Sequence, residues 1–213
     1  MRTQFEEHGY VRLDRAFAET APGMAAALWA ELSRRHGIER DRPTTWIGGR
    51  PPGLSGLRPT FAALATPAVV AAVDALAGAD RPEPFSWGDP LVTFPEAGGW
   101  DVPAGGWHID FPARSTLRLK WLGYLEPVGP AGGGTVVLDG SHHRVAEYLR
   151  TADPADPGRS ATIRDAVLKQ NPRVVELTGE PGDVVFLHPW LFHAPAPNHG
   201  PAPRLMVTGG LAG

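Results

Sequence analysis

Trp107-His108-Ile109-Asp110 sets an imidazole and a carboxylate two residues apart. In an extended strand, positions i and i+2 share a face, so both groups project to one side. Eight histidines and twelve aspartates among 213 residues give about half a His-x-Asp by chance, so the pair needs a partner before it carries weight. That partner lies near the C-terminus. Gly182-Asp183-Val184-Val185-Phe186-Leu187-His188 reads as a turn and a buried strand, and Pro189-Trp190-Leu191-Phe192-His193 leads into the next. Either His188 or His193 completes a set of two histidines and one carboxylate. Such a set holds Fe(II) on one face and leaves the opposite positions open to substrate and oxygen. Arg204 falls eleven residues beyond His193, one strand further on. Its planar guanidinium suits the far carboxylate of a dicarboxylic co-substrate.

Elements able to present these groups follow from composition and pattern. Glycine (26) and proline (23) make up about a quarter of the chain, which argues against a helix bundle and for short strands joined by turns. Strands are expected over 90–94, 107–111, 117–125, 135–138, 173–177, 183–188, 191–194 and 204–208, the pattern of an antiparallel barrel or jelly roll. The front third is mostly helical: a short helix ending at Gly9, a second over 24–36 closed by Gly37, and a third from Pro67 to Gly78. A charged insert over 144–170 places a helix on each side of an Asp/Pro-rich loop. In 117–125, Leu117, Leu119, Trp121 and Leu125 alternate with Arg118, Lys120, Leu122 and Tyr124. The first set is expected to pack on the N-terminal helices and the second to face solvent or a polar interior.

Composition also excludes. With no cysteine, disulfide scaffolds, zinc fingers, iron–sulfur clusters and thiol nucleophiles are ruled out. A net charge of -3 gives no footprint for nucleic acid or an anionic membrane. No apolar run reaches the roughly 20 residues needed to cross a bilayer, and the polar N-terminus lacks a signal-peptide core, so a cytoplasmic protein is expected.

The chain resembles the phytanoyl-CoA dioxygenase-like branch of the Fe(II)/2-oxoglutarate-dependent oxygenases. Phe5-Glu6-Glu7-His8-Gly9-Tyr10-Val11 is similar to that family's opening phrase, and Trp107-His108-Ile109-Asp110-Phe111 to its metal motif. Gly133-Gly134-Thr135-Val136-Val137-Leu138-Asp139-Gly140-Ser141-His142 resembles the turn before its insert, with Asp139 where proline is commoner. The stretch from Gly182 through His193, Asn198 and Arg204 follows its C-terminal signature. The resemblance implies a mainly β fold, a double-stranded β-helix (cupin-like jelly roll) with N-terminal helices, as a single domain over 1–213: a helical buttress over 1–85, and a core over 86–213 that carries the insert. It implies Fe(II) on His108, Asp110 and His193, with 2-oxoglutarate and O2 as co-substrates and Arg204 on the distal carboxylate. Related halogenases have a small residue in place of the carboxylate, so Asp110 points to hydroxylation or a desaturation-like outcome. Two departures fall at the co-substrate: Leu122 stands where tryptophan is frequent, and Pro195 where serine or threonine is. Lys120, Arg118 and Thr135 are the candidates for the inner carboxylate.

Trp46 and Trp100 sit in Gly-rich loops, where large apolar side chains suggest a pocket wall or lid for an apolar substrate; Trp87 and Trp107 read as core. His142 and His143 read as loop residues at the site mouth, and His199 as solvated. The expected ligand is a small molecule, such as a secondary metabolite, taken by a monomer or homodimer. Two rival readings remain: a cupin-like metalloenzyme that does not use 2-oxoglutarate and has no need of Arg204, and a non-catalytic jelly-roll binding module.

Overall fold

In the computed structural model, residues 1–49, 51–78, 86–110, 117–151 and 159–212 are described. Helix α1 (Arg2–His8) ends on Gly9, whose φ of 79° is the left-handed conformation that closes a helix. Strand β1 (Tyr10–Leu13) follows, then α2 (Ala21–His36), with Pro22 in its first turn and a left-handed Gly37 after its last. The 42–59 region, expected as loop, contains short 3-10 turns and runs into the one-turn helix α3 (Arg58–Phe61). In α4 (Pro67–Ala77), the Thr66 hydroxyl accepts from the Val69 N–H.

The strands are β2 (Ser86–Thr93), β3 (Leu117–Tyr124), β4 (Thr135–Leu138), β5 (Val174–Glu176), β6 (Val184–Leu187), β7 (His193–Pro195) and β8 (Arg204–Ala212). Helices α5 (Ser141–Thr151) and α6 (Arg159–Leu168) lie between β4 and β5. The expected Asp/Pro loop between them, 152–158, is outside the described residues. All pairings are antiparallel. The larger sheet has the order β1-β6-β3-β8-β2 and the smaller β5-β4-β7. This is a double-stranded β-helix with helices against it, as expected. One strand differs. At 107–111 only His108 pairs, in a single bridge to His193, and Phe111 lies outside the described residues. β7 is three residues long, too short to template a longer partner.

Three packed layers fix the frame. On the outer face of the larger sheet, Leu119, Trp121, Leu125, Phe186 and Val207 meet Leu28 and Leu32 of α2, Phe61 of α3 and Val69 and Val73 of α4. Between the sheets lie Leu122, Tyr124, Val137, Val185, Leu187 and Met206. Behind the smaller sheet, Val136, Leu138, Phe192 and Ala194 pack on Val145 of α5 and Ile163 and Val167 of α6. The alternation read in 117–125 is therefore real, with Lys120 on the inward side. The front third is more than a buttress, because β1 forms an edge of the larger sheet. The side chain of Trp87 is not among those described. No single described helix is long and apolar enough to cross a membrane.

The β2–β8 ladder shifts register between Ser86 and Asp89. Gly88, at φ 74°, sits in that bulge, and a Cβ there would overlap the Thr208 carbonyl. Replacing Gly88 with Ala is expected to cost about 3 kcal/mol, since backbone overlap and a left-handed φ add together. A fall in the denaturant midpoint relative to the unaltered chain measures it.

Candidate metal centre

The two histidines are brought together by backbone before any side chain acts. His108 N–H donates to His193 C=O and His193 N–H to His108 C=O, both at 3.0 Å. Their rings then lie side by side, centroids 4.4 Å apart. His193 is held from behind as well: Phe192 C=O accepts from Leu138 N–H, and Phe192 N–H donates to the buried Ser141 hydroxyl at 2.9 Å. The Gly140-Ser141 turn thus anchors α5 to the residue preceding His193.

Tautomers follow from the neighbours. His108 Nδ1 lies 2.7 Å from Gly106 O, and His193 Nδ1 lies 2.9 Å from Leu191 O. A carbonyl only accepts, so each Nδ1 carries a proton, and in the neutral ring each Nε2 presents a lone pair. Asp110 stands across from both, with Oδ1 3.8 Å from His108 Nε2 and Oδ2 3.5 Å from His193 Nε2. All three donor atoms lie within 4.8 Å of one another, a span that one ion closes with small side-chain rotations. Burial alone would push the Asp110 carboxyl up, but His193 and then Lys120 hold it well below the usual carboxylate range. Burial pushes the His193 ring down, keeping it neutral. Two imidazoles and one carboxylate are a donor set that fits Fe(II), and they line one side only.

The side they leave open is a cavity of about 480 Å³ between the sheets, lined by Leu91, Thr93, Leu122, Thr135, Pro195 and Arg204 among others. Arg204 is 5% exposed. It donates to Gly133 O at 2.6 Å and to the Thr93 hydroxyl at 2.7 Å. Asn198, fully buried, donates to Thr93 O at 3.2 Å and Ala202 O at 2.9 Å, which fixes the turn that starts β8. Its place in the C-terminal signature gives no hint of this role, because Thr93 is remote in sequence.

The other expected residues divide. Lys120 and Thr135 line the chamber. Arg118 is exposed and is not among the lining residues. Trp46 is half-buried against the helical core, stacked on Phe94 with its indole N–H on Glu39 O, and Trp100 is 37% exposed. Neither lines the chamber; the 42–59 region contributes Gly49 instead. Trp107 is core, as expected.

His142 and His143 are not loop residues at the site mouth. They open α5, where His142 is buried and stacks on His143 (4.0 Å) and His188 (4.8 Å), away from the metal donors. Asp139, the departure from proline, accepts from His8 Nδ1 at 2.8 Å. His199 is bonded rather than merely solvated, its Nδ1 2.9 Å from Glu96 O. The partners of Asp139 and His199 come from segments more than a hundred residues away, so no local pattern announces them.

The chain matches the family profile described as phytanoyl-CoA dioxygenase (PhyH) over residues 5–206. No curated protein matches it. Among solved structures, the carbocyclase SnoK from nogalamycin biosynthesis, described as non-heme and alpha-ketoglutarate-dependent, is similar at a TM-score of 0.65 and 21% identity, covering 99% of this chain and 81% of SnoK. The epimerase SnoN, solved with Fe3+, alpha-ketoglutarate and nogalamycin RO, follows at 0.62 and 19%, covering 99% and 81%. HygX from Streptomyces hygroscopicus, with nickel and 2-oxoglutarate bound, is similar at 0.56 and 18%, covering 100% and 86%. At these identities the likeness establishes the fold.

The stacked histidines generate a pH prediction. Burial, then His142 and His143, push the His188 ring down to about 4 from its ordinary 6.5. A folded-state value below the unfolded one means that stability is complete above pH 6.5 and is lost as pH falls toward 4. The loss is expected to reach about 3 kcal/mol, the free energy of keeping one proton off the ring across that interval. Urea titrations between pH 7 and pH 4 should show it, and a His188→Asn variant should lose markedly less stability over that range.

Proposed function

Because the chain belongs to the phytanoyl-CoA dioxygenase family, we propose that it is an Fe(II)- and 2-oxoglutarate-dependent dioxygenase that hydroxylates a C–H bond of a small molecule. The observation that carries this is the meeting of three donors, His108 Nε2, Asp110 and His193 Nε2, at one end of a chamber that also contains a buried arginine. We read 1–213 as a single domain, since β1 at the front pairs with β6 near the back.

In this reading His108, Asp110 and His193 hold the iron, and Arg204 receives the distal carboxylate of 2-oxoglutarate. Bound there, the iron supplies activation of dioxygen, with 2-oxoglutarate consumed to succinate and carbon dioxide and one oxygen atom delivered to the substrate. The chain's own residues do the positioning. Arg204 arrives oriented by Gly133 O and the Thr93 hydroxyl, so little side-chain freedom is lost on binding. Leu91, Leu122, Ala194 and Pro195 give the chamber apolar walls that exclude water and suit an apolar substrate.

Oxygen insertion is favoured over inversion of a stereocentre by what the chamber lacks. Inversion through a carbon radical needs a side chain that returns a hydrogen atom, and phenols and thiols are the usual donors. The chain has no cysteine. Among the described residues no tyrosine lines the chamber, and Tyr124 donates its hydroxyl to Leu177 O between the sheets. That SnoK and SnoN belong to nogalamycin biosynthesis favours a secondary metabolite as substrate. The burial of Arg204 in the chamber wall favours this reading over a cupin-like metalloenzyme without 2-oxoglutarate.

Anaerobic addition of Fe(II) and 2-oxoglutarate should give a weak visible charge-transfer band that His108→Ala abolishes. Screening small-molecule classes for succinate release, then for a mass gain of one oxygen, tests the reaction. Arg204→Lys is expected to raise the 2-oxoglutarate requirement by about ten- to a hundredfold, as a bidentate fork becomes a point charge. A full band without 2-oxoglutarate, or turnover indifferent to it, would overturn the reading.

A further inference from the structure

Lys120 occupies an inward position of β3, opposite Leu187 of β6 and Gly210 of β8. Its side chain is 15% exposed, and Nζ lies 2.6 Å from Asp110 Oδ2. The same nitrogen lies 3.1 Å from His193 Nε2. Because His193 gives its Nδ1 proton to Leu191 O, Nε2 has one lone pair, and that lone pair accepts from the ammonium. A metal held through His193 needs the same lone pair. One imidazole nitrogen cannot serve both.

Metal binding therefore requires Lys120 to leave His193, while Asp110 has a second oxygen with which to keep it. The released ammonium then faces a divalent cation inside a chamber where charge is poorly screened. Asp110, the carboxylate that holds the ammonium, must then serve the ion as well, and among the described residues the chamber lining offers no second carboxylate. An anionic ligand arriving at the metal supplies one.

We propose that Lys120 makes filling of the metal centre conditional on the anionic co-substrate: its ammonium opposes the ion alone and pairs with the inner carboxylate of 2-oxoglutarate once that is bound. Lys120 is on this account a positioning residue that ties two binding equilibria together, and the linkage is reciprocal. The inference rests on the metal centre proposed above.

The test reads metal affinity rather than turnover. Mn(II), which is not oxidised during the measurement, is titrated into the full chain with and without saturating 2-oxoglutarate, and free Mn(II) is followed by electron paramagnetic resonance. Lys120→Met is expected to bind Mn(II) alone about tenfold more tightly than the unaltered chain. The enhancement given by 2-oxoglutarate should be about tenfold smaller in that variant, because chelation persists while the charge pairing is gone. Lys120→Gln, neutral and polar, should behave like Lys120→Met and reports in its place if the apolar variant fails to show the unaltered melting transition. Lys120→Arg, which keeps the charge, should retain the enhancement. Unchanged Mn(II) affinity and enhancement in the neutral variants would overturn the role of Lys120 and leave the metal centre standing. Failure of the unaltered chain to bind Mn(II), or equal binding by His108→Ala, would overturn the centre and this inference with it.

Discussion

The paired backbones of His108 and His193 are the contact on which the candidate centre depends. Two N–H···O bonds between the same two residues fix their separation and relative tilt before either ring is placed. Each ring is then turned by a carbonyl two residues earlier in its own chain, Gly106 O for one and Leu191 O for the other. The same i−2 device on both sides leaves the two Nε2 lone pairs facing a common point. Asp110, in a bend two residues beyond His108, joins them without further strand pairing, so a single bridge suffices where a full strand was expected.

Charge within the chamber is unevenly distributed, and that unevenness carries chemical meaning. Asp110 is the one carboxylate in the donor set, while Lys120 and Arg204 both face inward from the larger sheet. Arg204 donates to two neutral oxygens, Gly133 O and the Thr93 hydroxyl.

The candidate site was more legible in the sequence than its surroundings. His108, Asp110, His193 and Arg204 could be named because strand periodicity, donor type and a fixed offset are local properties, and the resemblance selected His193 over His188. Strand and helix positions were also readable, since glycine and proline punctuate this chain so heavily. What stayed hidden depends on contacts remote in sequence. Trp46 looked like a pocket wall, yet Phe94 and Glu39 O hold it on the helical core. His142 looked like a loop residue, yet it is stacked on His188 and held by Glu6 O of α1. Lys120 was a candidate for co-substrate binding, but its contact with His193 arises from the juxtaposition of β3 and β7 in different sheets, which spacing cannot supply.

The distance between those sheets decides whether one ligand can reach both ends of the chamber. The histidine pair belongs to the edge of the smaller sheet, and Arg204 opens a strand of the larger one. Three ties hold the sheets at a set separation. The interdigitated core of Leu122, Val137, Val185 and Met206 is one. The Tyr124 hydroxyl, donating across to Leu177 O at 2.9 Å, is the second. The third is Arg204 itself, donating to Gly133 O just ahead of β4. Burial stiffens these ties, because a stretched bond between buried groups is poorly replaced by solvent. On the proposed reading this spacing acts as a gauge: an anion chelated at the smaller sheet meets the guanidinium of the larger only if its two charged ends match it. On that reading, selectivity for co-substrate length then rests on the inter-sheet packing as well as on Arg204 itself.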